Sequence, residues 1–315
     1  MKLSTDTIAL PVIIAALTAL AGCADDYKGE PEKPSGEYNP HNIAVEVLDY
    51  SPMPGQFVNE LPEIDANADA AAVRRAVQQS LDNGSLISLG SFGGSVTLRL
   101  KIPIYHSPEA IGDLRVLGNA FYWGTATYDG MRVGSSEPGI VCVMEDTNGN
   151  GKPDDTWYYL RGSRWEQARR TTVTYTDNSD AGDNNAYVTW TTDDGTQGVI
   201  NRNVAYHDHS LFPLWKDNDG TMTVTAIRLP DNYFLAGETY VGYCYTGYAD
   251  SCPNDQESSA LSLANAVDAD GNPAKVSRVD FIRIYTGVLQ CNGPLGEVST
   301  EISAIQALHN CPPVL

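Results

Sequence analysis

Three consecutive pieces of this chain, Gly139-Ile-Val-Cys-Val-Met144, Asp146-Thr-Asn-Gly-Asn-Gly-Lys-Pro-Asp-Asp155 and Thr156-Trp-Tyr-Tyr-Leu160, read as strand, turn, strand. The first is apolar throughout, too short for an ordinary helix, and closed by turn formers, so it predicts a strand buried on both faces. The second is crowded with Asn, Asp and Gly, which break helix and strand alike. The same grammar extends in both directions. Strand signals lie at 43–48, 86–89, 95–100 and 114–117, then at 171–176, 187–191, 198–200, 222–228, 240–245, 258–267 and 280–286. Between them stand Phe92-Gly93-Gly94, Asp193-Asp194-Gly195, Asp217-Asn-Asp-Gly220 and Asp268-Ala-Asp-Gly-Asn272. Short strands with such regular punctuation predict a mainly β protein, a β-sandwich of jelly-roll type. One helix interrupts it. Val73, Val77 and Leu81 fall at i, i+4 and i+8 behind a cap at Asp65 or Asn67, and Asn83-Gly84 ends it. No linker or internal repeat follows residue 43, which predicts a single domain over 43–315.

Composition agrees with a secreted β protein. The 315 residues include 28 Gly, 18 Pro and 17 Tyr, and 40 acids against 20 bases give a formal net charge of -20. So acidic a surface excludes nucleic acid and anionic lipid as partners of the folded part. At the N-terminus, Lys2 precedes the apolar run Ile8 to Leu20, which is too short to span a bilayer and ends at Leu20-Ala-Gly-Cys23. This is the lipobox of a bacterial lipoprotein signal, 1–22, with Cys23 as the acylated residue. Several acyl chains hold a membrane far more firmly than one. Residues 23–42, rich in Pro, Gly and polar side chains, read as a lipidated flexible tether. Ala24-Asp25-Asp26 resembles the acidic tag that exports lipoproteins of the Bacteroidota to the outer face of the outer membrane.

The Asp146–Asp155 loop carries the strongest chemical signal. Asp146, Asn148 and Asn150 place oxygens at positions 1, 3 and 5, Gly151 supplies the bend, Lys152 offers its carbonyl, and Asp154 stands at position 9. This resembles the opening of an EF-hand, with Asp155 in place of the missing bidentate Glu, and predicts structural Ca²⁺. A metal-free Asn-Gly turn is the simpler alternative. Asp217-Asn-Asp-Gly220 and Asp268-Ala-Asp-Gly271 are weaker copies, read as plain turns. His207-Asp-His209 offers half a zinc site without an evident third ligand, and reads as solvated surface histidines. Glu137 and Asp113 offer a glycosidase-type carboxylate pair, which chance alone supplies in so acidic a chain. No nucleophile elbow or metalloprotease motif is present. The aromatics around the metal loop, Tyr122, Trp123, Trp157, Tyr158 and Trp165, predict stacking planes for a sugar or other flat ligand. Cys142 reads as a free core residue, and proximity favours bridges Cys244–Cys252 and Cys291–Cys311.

Further segments carry a family likeness: Tyr50-Ser-Pro-Met-Pro-Gly-Gln-Phe-Val-Asn-Glu-Leu-Pro62, Gly84 to Gly94, Gly118-Asn-Ala-Phe121 and Ser135-Ser-Glu-Pro-Gly-Ile140. Phe212-Pro-Leu-Trp215, Gly247-Tyr-Ala-Asp250, Ala266 to Asn272, Asp280 to Gln290 and Gly296-Glu-Val-Ser-Thr-Glu301 continue it. Together they resemble the "cell surface protein" lipoproteins of gut Bacteroidota. The resemblance implies an outward-facing, lipid-anchored protein and an association with outer-membrane uptake systems, including corrinoid ones. It assigns no activity. Where relatives tend to carry an aromatic–acidic pair before Gly247, this chain has Cys244-Tyr-Thr246, which implies a local disulfide in part of a site. The expectation is therefore a non-catalytic surface lipoprotein whose calcium-braced β-sandwich passes a glycan or corrinoid to an outer-membrane transporter. The alternatives are a glycan-cleaving enzyme and an adhesin or structural surface protein.

Overall fold

In the computed structural model, the Gly139–Met144 strand is buried at every residue because it lies inside a six-stranded antiparallel sheet. It pairs with Arg278–Thr286 on one side and Tyr158–Leu160 on the other. Ser95–Tyr105 and Val45–Ser51 extend the sheet beyond Arg278–Thr286, and Ala266–Val267 closes the opposite edge. The structure describes residues 38–216 and 219–310, all within the unit Gly36–Leu315. The expected signal, the lipidation site Cys23 and most of the tether lie outside the described residues, as do Cys311, Asp217 and Asn218. The strand Tyr38–Ile43 begins within the segment read as tether and pairs with Ala304–His309.

The jelly-roll expectation is corrected. Beside the six-stranded sheet stand one of three strands and two of four, a propeller-like set of four small antiparallel sheets rather than two facing layers, with a further two-stranded pair of Ile87–Ser88 and Glu301–Ile302. The three-stranded sheet holds Tyr38–Ile43, Ala304–His309 and Leu114–Leu117. One four-stranded sheet runs Gln197–Ile200, Val188–Thr192, Arg169–Asp177, Thr221–Arg228, and the other Tyr233–Ala236, Thr239–Tyr243, Met131–Ser135, Phe121–Tyr128. A sandwich buries its two inner faces in one common core, whereas here the apolar residues gather in three separate clusters. Strand periodicity reports that a face is buried, not which sheet covers it, so the two architectures share one pattern. Only the sheet over Arg169–Arg228 is made of consecutive strands; the other three join strands distant in sequence, so no repeat marks the blades.

The helix Ala70–Asp82 forms as its periodicity predicts, with Val73, Val77 and Leu81 buried. Its cap is Asp69, whose carboxylate accepts from the Ala72 amide at 2.7 Å. Asp65 instead folds a turn by accepting from the Asn67 amide at 2.7 Å. The helix covers the sheet edge at Val45–Ser51, where Gln78 accepts from the Val47 amide (2.9 Å) and donates to the Val45 carbonyl (3.1 Å). An edge strand left bare invites pairing with another chain, and this side chain occupies its free backbone groups. The strand expected over 258–267 is mostly turn, with 3₁₀ segments Glu257–Ser259 and Leu263–Asn265 before a short Ala266–Val267. Cys142 is buried and free. Cys244 and Cys252 are also free thiols, so the expected Cys244–Cys252 bridge is not formed, and Cys291 is a free thiol whose expected partner Cys311 lies outside the described residues. Cys252 donates to the Tyr245 carbonyl instead.

Candidate functional site

The loop between Gly139–Met144 and Tyr158–Leu160 is tied down at its base. Glu145 accepts from the amides of Ser277 and Arg278 (2.6 and 3.0 Å), and the Asp146 amide donates to Asp280 at 2.8 Å. Beyond this anchor the chain curls around its own oxygens. The Asp146 carboxylate accepts from the amides of Asn150 (3.1 Å) and Gly151 (2.9 Å), and Asp154 accepts from the side chains of Asn148 (3.1 Å) and Asn150 (3.0 Å). Gly149 and Gly151 adopt φ of 69° and 71°, the left-handed turns that tighten the coil. The two Asn donations hold the Asp154 carboxyl below its ordinary range. Asp155 departs from the expected ligand set, since its carboxylate engages the Thr147 amide (3.1 Å) and hydroxyl. For Ca²⁺ the donor chemistry fits in part. Asp146 and Asp154 both accept from Asn150, the Lys152 carbonyl accepts from the Asp154 amide at 2.9 Å, and rotation of two amide groups would turn the oxygens of Asn148 and Asn150 toward an ion.

The five aromatics do not make one platform. Trp165 lies on the wall of an open, mostly polar cleft of about 400 Å³, together with Arg161, Glu166, Thr246, Glu257 and Ser258. Tyr159 packs behind it, ring centroids 5.4 Å apart. Tyr122 reaches the same cleft through a 2.7 Å hydrogen bond to Ser258, and Arg132 covers its ring at 4.1 Å. Trp157 lies under the Arg283 guanidinium at 4.6 Å, and Tyr158 packs against the main core cluster. Trp123 is partly exposed in Phe121–Tyr128 and does not line the cleft.

Behind the cleft, the loop that supplies Thr246 also carries Asp250, and here the structure assembles a group the sequence did not reveal. Carboxylate oxygens of Glu137, Asp250 and Glu301 lie within 4.8 Å of one another. Asp250 is held by three backbone amides, from Asn119 (2.8 Å), Ala120 (3.0 Å) and Glu301 (2.9 Å). A Cβ on Gly118 would collide with its carboxylate, so only glycine lets the backbone pass. Glu137 accepts from the Ser299 amide at 3.0 Å, and Glu301 from the hydroxyl of Ser88 at 3.2 Å. Burial is the first cause pushing these groups upward, Asp250 to about 7 and Glu301 to about 8. Glu137 rises well above the carboxylate range from burial and then from the charges of Glu301 and Asp250. Such a cluster holds protons at neutral pH. The segments around Gly118, Ser135, Gly247 and Gly296 all meet at it.

The expected partner of Glu137 is elsewhere engaged. Asp113 is fully buried and accepts from the amides of Ser107 and Leu263, both at 2.7 Å, with His106 at 3.0 Å. It stitches loops together and belongs to no pair with Glu137. Asp250 and Glu301 escaped sequence reading because no spacing links them. Their only local signal is an acid set among small, buried neighbours, as in Ala249-Asp250-Ser251. His207 is also corrected: it is buried, not solvated, and Glu60 joins it and His209. No family model matches the chain, and neither does any curated protein.

Proposed function

We propose that this chain is an outer-membrane surface lipoprotein, anchored through Cys23 and facing outward, that captures a glycan for an uptake transporter. The observation that carries the reading is the cleft beside Trp165. An indole face among Arg161, Glu166, Glu257 and Ser258 pairs a stacking plane with hydrogen-bonding groups of both senses, which suits a sugar's apolar face and its hydroxyls. At about 400 Å³ it lies at the small end of ligand clefts. A corrinoid, far larger and with a wide apolar face, overfills so polar a site. Ca²⁺ at Asp146–Asp155 braces the hairpin that leads into Tyr158–Leu160, whose Tyr159 supports Trp165.

The test is calorimetric titration of the chain from residue 24, which retains the whole unit Gly36–Leu315, with a glycan panel and with cobalamin. Saturable glycan binding without turnover is expected. Trp165→Ala should weaken it by about 2- to 12-fold, the equivalent of a lost stacking contact of roughly 0.5–1.5 kcal/mol, with little change in the melt. Turnover abolished by Glu137→Gln would establish an enzyme instead. Binding of cobalamin alone would replace the glycan reading.

A further inference from the structure

We infer that Glu60, His207 and His209 form a Zn²⁺ site, separate from the cleft and from the Asp146–Asp155 loop. One ligand atom from each lies within 4.8 Å of the others, with His209 Nε2 to Glu60 Oε1 at 2.8 Å and His207 Nδ1 to Glu60 Oε2 at 3.7 Å. Bonds of about 2.0–2.1 Å in a tetrahedral site set neighbouring donor atoms roughly 3.4 Å apart, within this spread. Two imidazoles and one carboxylate are the donor set of open zinc sites, in which a fourth position is left to water or an incoming ligand.

The fold holds the three residues in place before any ion arrives. Asn59, next to Glu60, donates to the carbonyls of Ser210 (2.7 Å) and Phe212 (2.9 Å), and accepts from the Leu214 amide at 3.1 Å. This clamps the Glu60 turn onto the histidine segment. The His207 amide donates to the Asn203 carbonyl at 2.7 Å, and the Phe57 ring edge packs on the imidazole at a centroid distance of 4.6 Å. Only 6% of His207 remains exposed, and its Nδ1 is buried without a hydrogen bond. Glu60 is partly open to solvent, so an ion has a way in.

Local hydrogen bonding also sets the tautomer. His209 Nδ1 lies 2.9 Å from the Ser210 carbonyl, an acceptor only, so Nδ1 carries the proton. Nε2 is then the nitrogen that faces a carboxylate oxygen 2.8 Å away, in a geometry that makes no hydrogen bond. A cation held by both atoms satisfies them. A backbone carbonyl fixing the remote nitrogen of a ligating histidine is the usual support around bound zinc.

The experiment is a competition titration of metal-stripped chain, from residue 24, with Zn²⁺, followed by X-ray absorption on the loaded protein. One equivalent should bind, with nitrogen and oxygen neighbours and no sulfur. His207→Ala/His209→Ala should weaken binding by at least about a hundredfold. Glu60→Gln, at an exposed position that leaves the fold intact, should weaken it by about tenfold or more. A sulfur shell would place the metal on the free cysteines and overturn the site. So would undiminished affinity in Glu60→Gln, or no saturable binding by folded wild type, which would leave His209 and Glu60 as a protonated ion pair.

Discussion

The Asp146–Asp155 loop and the Glu137–Asp250–Glu301 cluster are both made of carboxylates, yet the loop stands in water while Asp250 and Glu301 are buried. In the loop, Asp154 stays in solvent and two Asn side chains lower its proton affinity, so it is ionised and ready for a cation. In the cluster, Asp250 and Glu301 are each 3% exposed, and the cost of a buried charge raises their affinity for protons instead. The same functional group is thus kept ionised where it is hydrated and protonated where it is buried. Their connections differ too: the loop is closed mostly by neighbours in sequence, whereas the cluster joins segments as far apart as Asn119 and Glu301.

The sharpest way to break this contrast is Asp250→Ala. It strands three amides, that of Glu301 buried and those of Asn119 and Ala120 part-buried, and places Ala at φ 49°, a backbone region only Gly, Asn and Asp enter easily. A loss of about 3–5 kcal/mol is expected. At roughly 2–4 °C per kcal/mol for a domain of this size, the melt should fall by about 10 °C. Asp250→Asn, which keeps one acceptor and tolerates the same backbone, should lose much less. A wild-type melt for Asp250→Ala would mean that the cluster holds nothing together.

Next in size is the effect of pH. The unfolded chain releases these carboxyl protons near pH 4, while the folded cluster keeps them until about 7 for Asp250 and about 8 for Glu301. The folded state therefore binds more protons across this window, and its stability should decline as pH rises through it. His207, with a lowered pKa, acts in the opposite sense at the acid end. Urea midpoints from pH 6.5 to 8, below the range in which the thiols ionise, report on the carboxylates: wild type should fall and Glu301→Gln should fall less. Parallel profiles for the two proteins would deny the cluster its protons.

The loop should respond to metal where the cluster responds to protons. At a hundredfold excess over its Kd, Ca²⁺ adds roughly 2.7 kcal/mol, so the melt should rise with Ca²⁺, fall with EGTA, and lose the response in Asp146→Ala. Asp155→Asn should retain most of it, because that carboxylate serves Thr147. Equal melts with Ca²⁺ and EGTA would remove metal from this loop. The smallest effect belongs to Trp123→Ala, which should leave glycan titration unchanged because that ring stands away from the cleft.

Much of the molecule was legible one segment at a time. The buried run Gly139–Met144, the core face of Ala70–Asp82 and the coiled oxygens of Asp146–Asp154 each follow from residues close in sequence. Phe121–Tyr128 escaped notice because most of its residues are exposed, which erases the alternation that marks a half-buried strand.

By itself, the sequence determined the β class, the turns, the one helix and the acidic loop, since φ/ψ preference and side-chain period act over a few residues. Tertiary structure alone decided the propeller-like division into sheets, the union of Glu137 with Asp250 and Glu301, and the approach of Glu60 to His207 and His209. Burial set the character of those groups. The free energy of a charge depends on how much water surrounds it, and that is fixed by chain segments far away in sequence.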